Sequence, residues 1–281
     1  MRKSFLNVIR ISSLLILTFV TSFCEKNLQS SSTQEASILH KVKVFGLNEG
    51  NISITNKTIQ VDDMIFDKNQ LLSTIKNIEN MKGFEKKEYK ALYLVKKPII
   101  HVYGDNLIPF VEDGLNFAIN EYNTLDLNIK FKRVYNPSIA DITVYMKSGI
   151  NGLGQAQFPD GYGNPGSIIQ INTDVLNKSG TSNNLIKSLI LHELGHTIGL
   201  RHSDWKNRKS CITFGEEDSR KDWNVNTNTN LNSDTANYGT YYIWKTPTST
   251  DDDSFMRACI DGRTPRFTGD DVATLNQLYG Q

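Results

Sequence analysis

His192-Glu193-Leu194-Gly195-His196-Thr197-Ile198-Gly199-Leu200-Arg201-His202-Ser203-Asp204 is the stretch that decides the fold. It reads H-E-x-x-H and continues x-x-G-x-x-H. On a helix, His192 and His196 lie one turn apart and face the same way. Two imidazoles so placed can share one Zn²⁺. Glu193 points off the ligand face, where a carboxylate can reach a water in the open position without being a ligand itself. Gly199 permits the left-handed backbone that ends a helix and turns the chain, so that His202 can return as a third ligand. Three nitrogens leave one position open, which marks a catalytic site rather than a closed structural one. The bare pentapeptide arises by chance on ordinary surface helices; the correctly spaced glycine and third histidine set this one apart.

The 281-residue chain carries a net charge of +1. No basic stripe is present, so nothing points to nucleic acid. The length suits one good-sized domain with extra segments. Met1-Arg2-Lys3 and Arg10 precede an apolar run from Ile11 to Phe23 that is short for a bilayer span. Residues 1–23 therefore read as an export signal, of lipoprotein type if Cys24 is lipidated as the first mature residue, or of ordinary secretory type with cleavage nearby. The expected location is outside the cytoplasm: an outer-membrane or cell-surface lipoprotein, or a secreted or periplasmic protein, touching membrane only through a lipid anchor. In such an oxidising compartment Cys211 and Cys259 either pair in a disulfide or stay as two buried thiols.

Residues 24–35 are polar and read as a flexible tether. Residues 36–97 form an extension with short alternating runs, Ile52 to Ile54 and Thr58 to Val61, and an amphipathic stretch from Ser73 to Met81. Lying between an export signal and a candidate hydrolase, it is either a pro-segment that blocks the site or an extension packed on the catalytic domain. Asp62, Asp63, Asp67 and His40 are its available metal donors, and the sequence does not choose among them.

From Pro98 the pattern is orderly. Strands are expected at Ile99 to Tyr103, Leu127 to Tyr135, Asp141 to Met146, Gly154 to Phe158 and Ser167 to Asn172. Helices are expected at Leu107 to Tyr122 and at Ser182 to Ile198, the latter with Asn183 or Asn184 as its cap. Beyond His202 a long Asn/Thr/Ser/Asp-rich stretch, Trp205 to Asp253, holds Tyr238, Tyr241, Tyr242 and Trp244, and a closing helix follows at Gly269 to Tyr279. Asp251 to Asp253, and Asp160 with Asp174, admit a structural Ca²⁺ but read more simply as solvated turns.

The extended zinc motif resembles the metzincin clan of zinc endopeptidases. With Gln157-Phe158-Pro159, Gly166-Ser167-Ile168-Ile169, Cys259 shortly after Met256 and the closing Ala273 to Tyr279, it resembles more narrowly the bacterial M57, or dual-action HEIGH, metallopeptidases. The resemblance implies an α+β, metzincin-like zinc protease domain over 98–281. Its upper subdomain (98–199) would be a five-stranded mixed twisted sheet with two long helices, above an irregular lower subdomain (200–281). It also implies a methionine turn at Met256 beneath the metal, and an edge strand whose Gln155, Ala156 and Gln157 offer backbone groups to a substrate peptide. Where some metzincins place a tyrosine two residues beyond that methionine, this chain has Ala258. Asp204 is expected to support the ligands or tie down their loop.

The function expected is zinc-dependent hydrolysis of peptide bonds by a monomer, with one catalytic Zn²⁺ on His192, His196 and His202 and with Glu193 as general base and acid. Two other readings are a non-proteolytic zinc-containing surface binding protein and a zinc hydrolase of a non-peptide substrate.

Overall fold

The computed structural model describes residues 33–42, 47, 51–80, 94–176, 181–204, 209–212 and 252–280. The export signal, Cys24, His40's neighbours beyond 42 and the aromatic group at Tyr238 to Trp244 lie outside them. The chain divides into two units, Met1–Lys43 and Val44–Gln281. In the first, residues 33–42 are helical, so the tether expected up to residue 35 gives way to helix slightly early.

Everything else belongs to the second unit, which is built on one mixed sheet. Its strands are β1 (Ile52–Ile54), β2 (Thr58–Val61), β3 (Met64–Asp67), β4 (Ile99–Asp105), β5 (Lys130–Val134), β6 (Ile142–Lys147), β7 (Gly154–Gln157) and β8 (Ile168–Asn172). Their spatial order is β1-β2-β3-β7-β8-β6-β4-β5. The sheet therefore has eight strands where five were expected. The five expected strands are β4 to β8; the other three come from the extension. The apolar residues of β2 and β3, Ile59, Val61, Met64 and Phe66, are all buried, so these short runs gain a core only by joining the larger sheet.

Strands β4, β5, β6 and β8 pair in parallel, whereas β7 runs antiparallel to β8. Of the parallel strands, β8 is buried along nearly its whole length, whereas β4, β5 and β6 alternate buried positions with more exposed ones. Helix α1 (Lys68–Asn80) follows β3, α2 (Pro109–Thr124) crosses between β4 and β5, and α3 (Asn183–Thr197) carries the zinc motif. From Leu189 to Thr197 every residue of α3 is buried, as expected of a helix inside a core rather than on its surface. Its N-cap is Ser182, whose side chain accepts the Leu185 amide, not Asn183 or Asn184. Serine fits because it holds the last extended position before the helical run.

The closing helix α4 (Gly269–Tyr279) starts with a capping box, Thr268 with Asp271, and buries Leu275 and Tyr279. Its end is stitched to the chain before β5, where the Asn128 amide donates to the Tyr279 carbonyl at 2.6 Å.

Candidate metal centre

Helix α3 brings His192 and His196 onto one face, and its ending supplies the third ring. Gly199 sits at φ 97°, in the left-handed region that glycine enters without strain. The Gly199 amide donates to the His196 carbonyl and the Leu200 amide to the Gly195 carbonyl, each at 3.0 Å, which closes the helix end. The Tyr279 hydroxyl, from α4, donates to the Ile198 carbonyl in the same turn. The chain then reverses and delivers His202. All three rings are buried.

Each ring on α3 is oriented by a carbonyl. His192 Nδ1 lies 2.9 Å from the Phe255 carbonyl and His196 Nδ1 lies 2.7 Å from the Leu200 carbonyl. A carbonyl only accepts, so both Nδ1 atoms carry hydrogen and both Nε2 atoms present lone pairs. Burial, with the nearby His196, pushes His192 down to about 4, so this ring is neutral at neutral pH.

The sequence leaves one member of the centre unchosen. Asp63 lies in the two-residue turn between β2 and β3, after Asp62 at φ 57°. Its carboxylate reaches all three rings: Oδ1 is 3.2 Å from His196 Nε2 and 3.1 Å from His202 Nε2, and Oδ2 is 3.5 Å from His192 Nε2. Burial works to raise Asp63, but the His202 and His196 rings outweigh it and hold the carboxyl well below its ordinary value.

These contacts test whether a metal fits. His192 Nε2 and His196 Nε2 are buried and make no hydrogen bond among the described residues, although carboxylate oxygens face them. Lone pairs converging on an anion repel unless a cation lies between them. Tetrahedral zinc, with bonds of about 2.0–2.2 Å, sets its ligand atoms about 3.3–3.6 Å apart, close to the separations seen. Three imidazoles and a carboxylate therefore fit Zn²⁺. Among the described residues no other group of three or more such side chains converges in this way. Asp160 instead binds the Tyr162 and Asn164 amides, and Asp174 the Gly149 amide.

Glu193 sits beside the cluster with its Oε2 buried and without a hydrogen-bond partner among the described residues. Burial, and then the Asp63 carboxylate, push its carboxyl well up. Strand β7 passes so close that a Cβ on Gly154 would lie 2.8 Å from Glu193 Oε1. Gln155, Ala156 and Gln157 belong to β7, but β7 is not a free edge. The Ala156 amide donates to the Asp63 carbonyl at 2.9 Å and the Phe158 amide to the Ile65 carbonyl at 2.7 Å. The substrate edge expected from sequence is covered by β3.

Beneath the rings, Met256 is buried and packs against the motif helix: a Cβ on Gly195 would stand 2.5 Å from its sulfur. Its carbonyl accepts the Ser203 amide at 2.7 Å. The Ser254 hydroxyl and the Phe255 amide, two and one residues upstream, donate to Asp271 of α4. Asp204 ties the loop. Its Oδ1 accepts the Ala258 amide at 2.9 Å, and its Oδ2 accepts the Ser210 amide at 2.9 Å and the Ser210 hydroxyl at 2.7 Å. Burial works to raise this carboxyl; Ser210 and the Ala258 amide outweigh it and hold it below its ordinary value. Cys211 and Cys259 are disulfide-bonded, fastening the same loop to the segment after Met256.

Three convergent imidazoles beside a buried, unsatisfied glutamate are the donor arrangement of zinc metallopeptidases, and this chain is one. It belongs to the dual-action HEIGH metallopeptidase family, whose model matches residues 67–279. Among solved structures it is similar to myroilysin, at 17% identity over 71% of this chain and 88% of that one, with a TM-score of 0.42. It is also similar to high choriolytic enzyme 1, a hatching enzyme zinc-protease from the medaka fish Oryzias latipes, at 15% identity over 70% of this chain and 97% of that one, with a TM-score of 0.36. No curated protein matches the chain.

Proposed function

We propose that the chain is an exported zinc endopeptidase, made in a latent form, in which Glu193 moves the protons of peptide hydrolysis. The observation that carries this reading is the buried, unpartnered Glu193 Oε2 beside three convergent imidazoles. His192, His196 and His202 would hold the ion. Bound zinc supplies Lewis acidity, polarising a carbonyl and making water acidic near neutral pH. Glu193 takes a proton from the attacking water and returns it to the leaving amine, so the peptide C–N bond breaks as the new C–O bond forms.

Latency is supported by Asp63, whose carboxylate stands where an attacking water would need room, and by β3, which lies along β7. Removal of the segment before about Lys97 would clear both. Export is supported by the apolar run ending at Cys24 and by the Cys211–Cys259 disulfide. Mass spectrometry of the mature N-terminus decides both points: a start near Cys24 followed by a second start between α1 and β4 is expected. Casein cleavage by the processed chain should be abolished by a chelator and by Glu193→Gln, with zinc content unchanged in that variant. Equal cleavage by wild type and Glu193→Gln would sink the reading.

A further inference from the structure

The covered strand also shows what it would grip. Strand β3 lies parallel to β7, with Met64 opposite Ala156 and Ile65 opposite Gln157. One step further along the same register Phe66 meets Phe158, their ring centres 4.8 Å apart. Both rings are buried. Beside them opens a cavity of about 330 Å³, bordered by Ala140, Pro159, Asp160 and Pro165 as well as the two phenylalanines. Phe158 belongs to the catalytic core and Phe66 to the extension. With β3 gone, an aromatic ring and its flanking prolines would stand at the end of an open strand, next to the Ala156 and Phe158 amides that had lost their acceptors. Free strand amides capture an extended peptide, and an adjoining aromatic floor selects its side chain. The three acids on the cavity's border are engaged: Asp160 accepts the Tyr162 and Asn164 amides, Asp141 pairs with Lys97 and accepts the His101 amide, and Asp67, part of the extension, accepts the Gln70 amide.

We propose that Phe158 floors a substrate subsite for a bulky apolar, preferably aromatic, side chain, and that Phe66 holds this place in the covered chain. The subsite receives the residue about three positions to the amino-terminal side of the bond cleaved. This rests on the peptidase reading above. The spacing follows from the extension itself: Asp63, at the histidines, precedes Phe66 by three residues, or about 10 Å of strand. The direction follows from polarity. A peptide pairing with β7 in the antiparallel sense, the more stable one, enters with its amino-terminal residues at Phe158 and reaches the histidines afterwards. Strand β3 runs the other way and presents a side-chain carboxylate to the centre instead of a peptide bond, which explains how the extension can lie there uncut.

The test uses the full chain with a recognition sequence for a site-specific protease placed within residues 81–93. After cutting there, a peptide library is digested and the cleaved bonds are read by mass spectrometry. Phe, Tyr and Leu should be enriched about fivefold or more at the third residue before the bond. Phe158→Ala should flatten that preference while cleavage itself persists, and Phe158→Leu should retain the aliphatic part of it. An unchanged preference in Phe158→Ala, or enrichment at the third residue after the bond, would overturn the proposal. In parallel, the Glu193→Gln chain, cut in the same way, is titrated with fluorescent peptides carrying Phe or Ser at that position. The Phe peptide should bind about tenfold more tightly, and Phe158→Ala should erase the difference. Phe158-dependent binding without any cleavage by wild type would leave the subsite standing and remove the peptidase reading. Cleavage indifferent to this position would do the reverse, and the absence of both would overturn both.

Discussion

Asp63 and His202 lie 139 residues apart in sequence, yet carboxylate Oδ1 and imidazole Nε2 come within 3.1 Å of each other. The carboxylate competes for the position that any external ligand must take. Asp63→Ala should therefore keep zinc on its three histidines and bind a small hydroxamate about tenfold or more tightly, because the competent state is no longer hidden. The cobalt-substituted protein should show the change as an altered visible spectrum. Equal hydroxamate affinity and an unaltered spectrum would mean that Asp63 does not guard the centre.

Gly195 sets the distance between the motif helix and its floor. An added Cβ would meet the Met256 sulfur at 2.5 Å and the Tyr122 hydroxyl at 3.0 Å. Alanine improves helix propensity by about 1 kcal/mol, but overpacking costs about 1–3 kcal/mol. Gly195→Ala is thus expected to lower the midpoint of thermal unfolding. A midpoint at or above that of wild type would show that the floor yields.

Gly154 does the same for Glu193. Its Cβ would stand 2.8 Å from Glu193 Oε1 and 3.1 Å from the Gln170 carbonyl, so Gly154→Ala should displace the carboxylate without touching the histidines. The expected result is a fall in kcat of about tenfold or more with zinc content at the wild-type level. Loss of zinc together with activity would place the damage elsewhere.

Asp204 gives the centre an acid limit. Its carboxyl is held below the ordinary value of 3.8 in the folded chain, so its contribution is fully present above the unfolded value and is lost as pH falls through the folded one. Wild type should lose stability below about pH 4 more steeply than Asp204→Asn. That variant should already be weaker at pH 7, by about 1–3 kcal/mol, from the loss of an acceptor shared by Ser210 and Ala258. Parallel acid denaturation curves for the two proteins would remove Asp204 from this role.

The convergence of the three histidines was legible because it obeys a helix: His192 and His196 repeat at its turn, and Gly199 announces the reversal that returns His202. The strands β4, β6 and β8 were legible through their apolar content and β5 through its alternation, whereas β7 is a short polar stretch marked out by the proline that follows it. Asp63 was not, because a turn aspartate bears no spacing relation to a motif so far along the chain; the Asp62-Asp63 pair directly after the alternating run Thr58 to Val61 was the only signal, and it fits any hairpin tip. Nor could short runs such as Ile52 to Ile54 reveal which sheet they would join, since that depends on β7 offering an unpaired side. Ser210 and Asp271, which fix Asp204 and the Met256 turn, are ordinary polar residues until folding removes them from water.

The extension also has a colloidal consequence. While it is in place the sheet ends at β1, a strand of only three residues, and such short borders recruit other chains poorly. Removing it makes β7 the border, with open amides beside the Phe158 ring. On the latency proposed above, the gain of a place for substrate would equally be a gain of a place for its own copies or fragments. Activity would come with a tendency to self-capture, and the concentration at which the processed protein stays dispersed would become part of its working range.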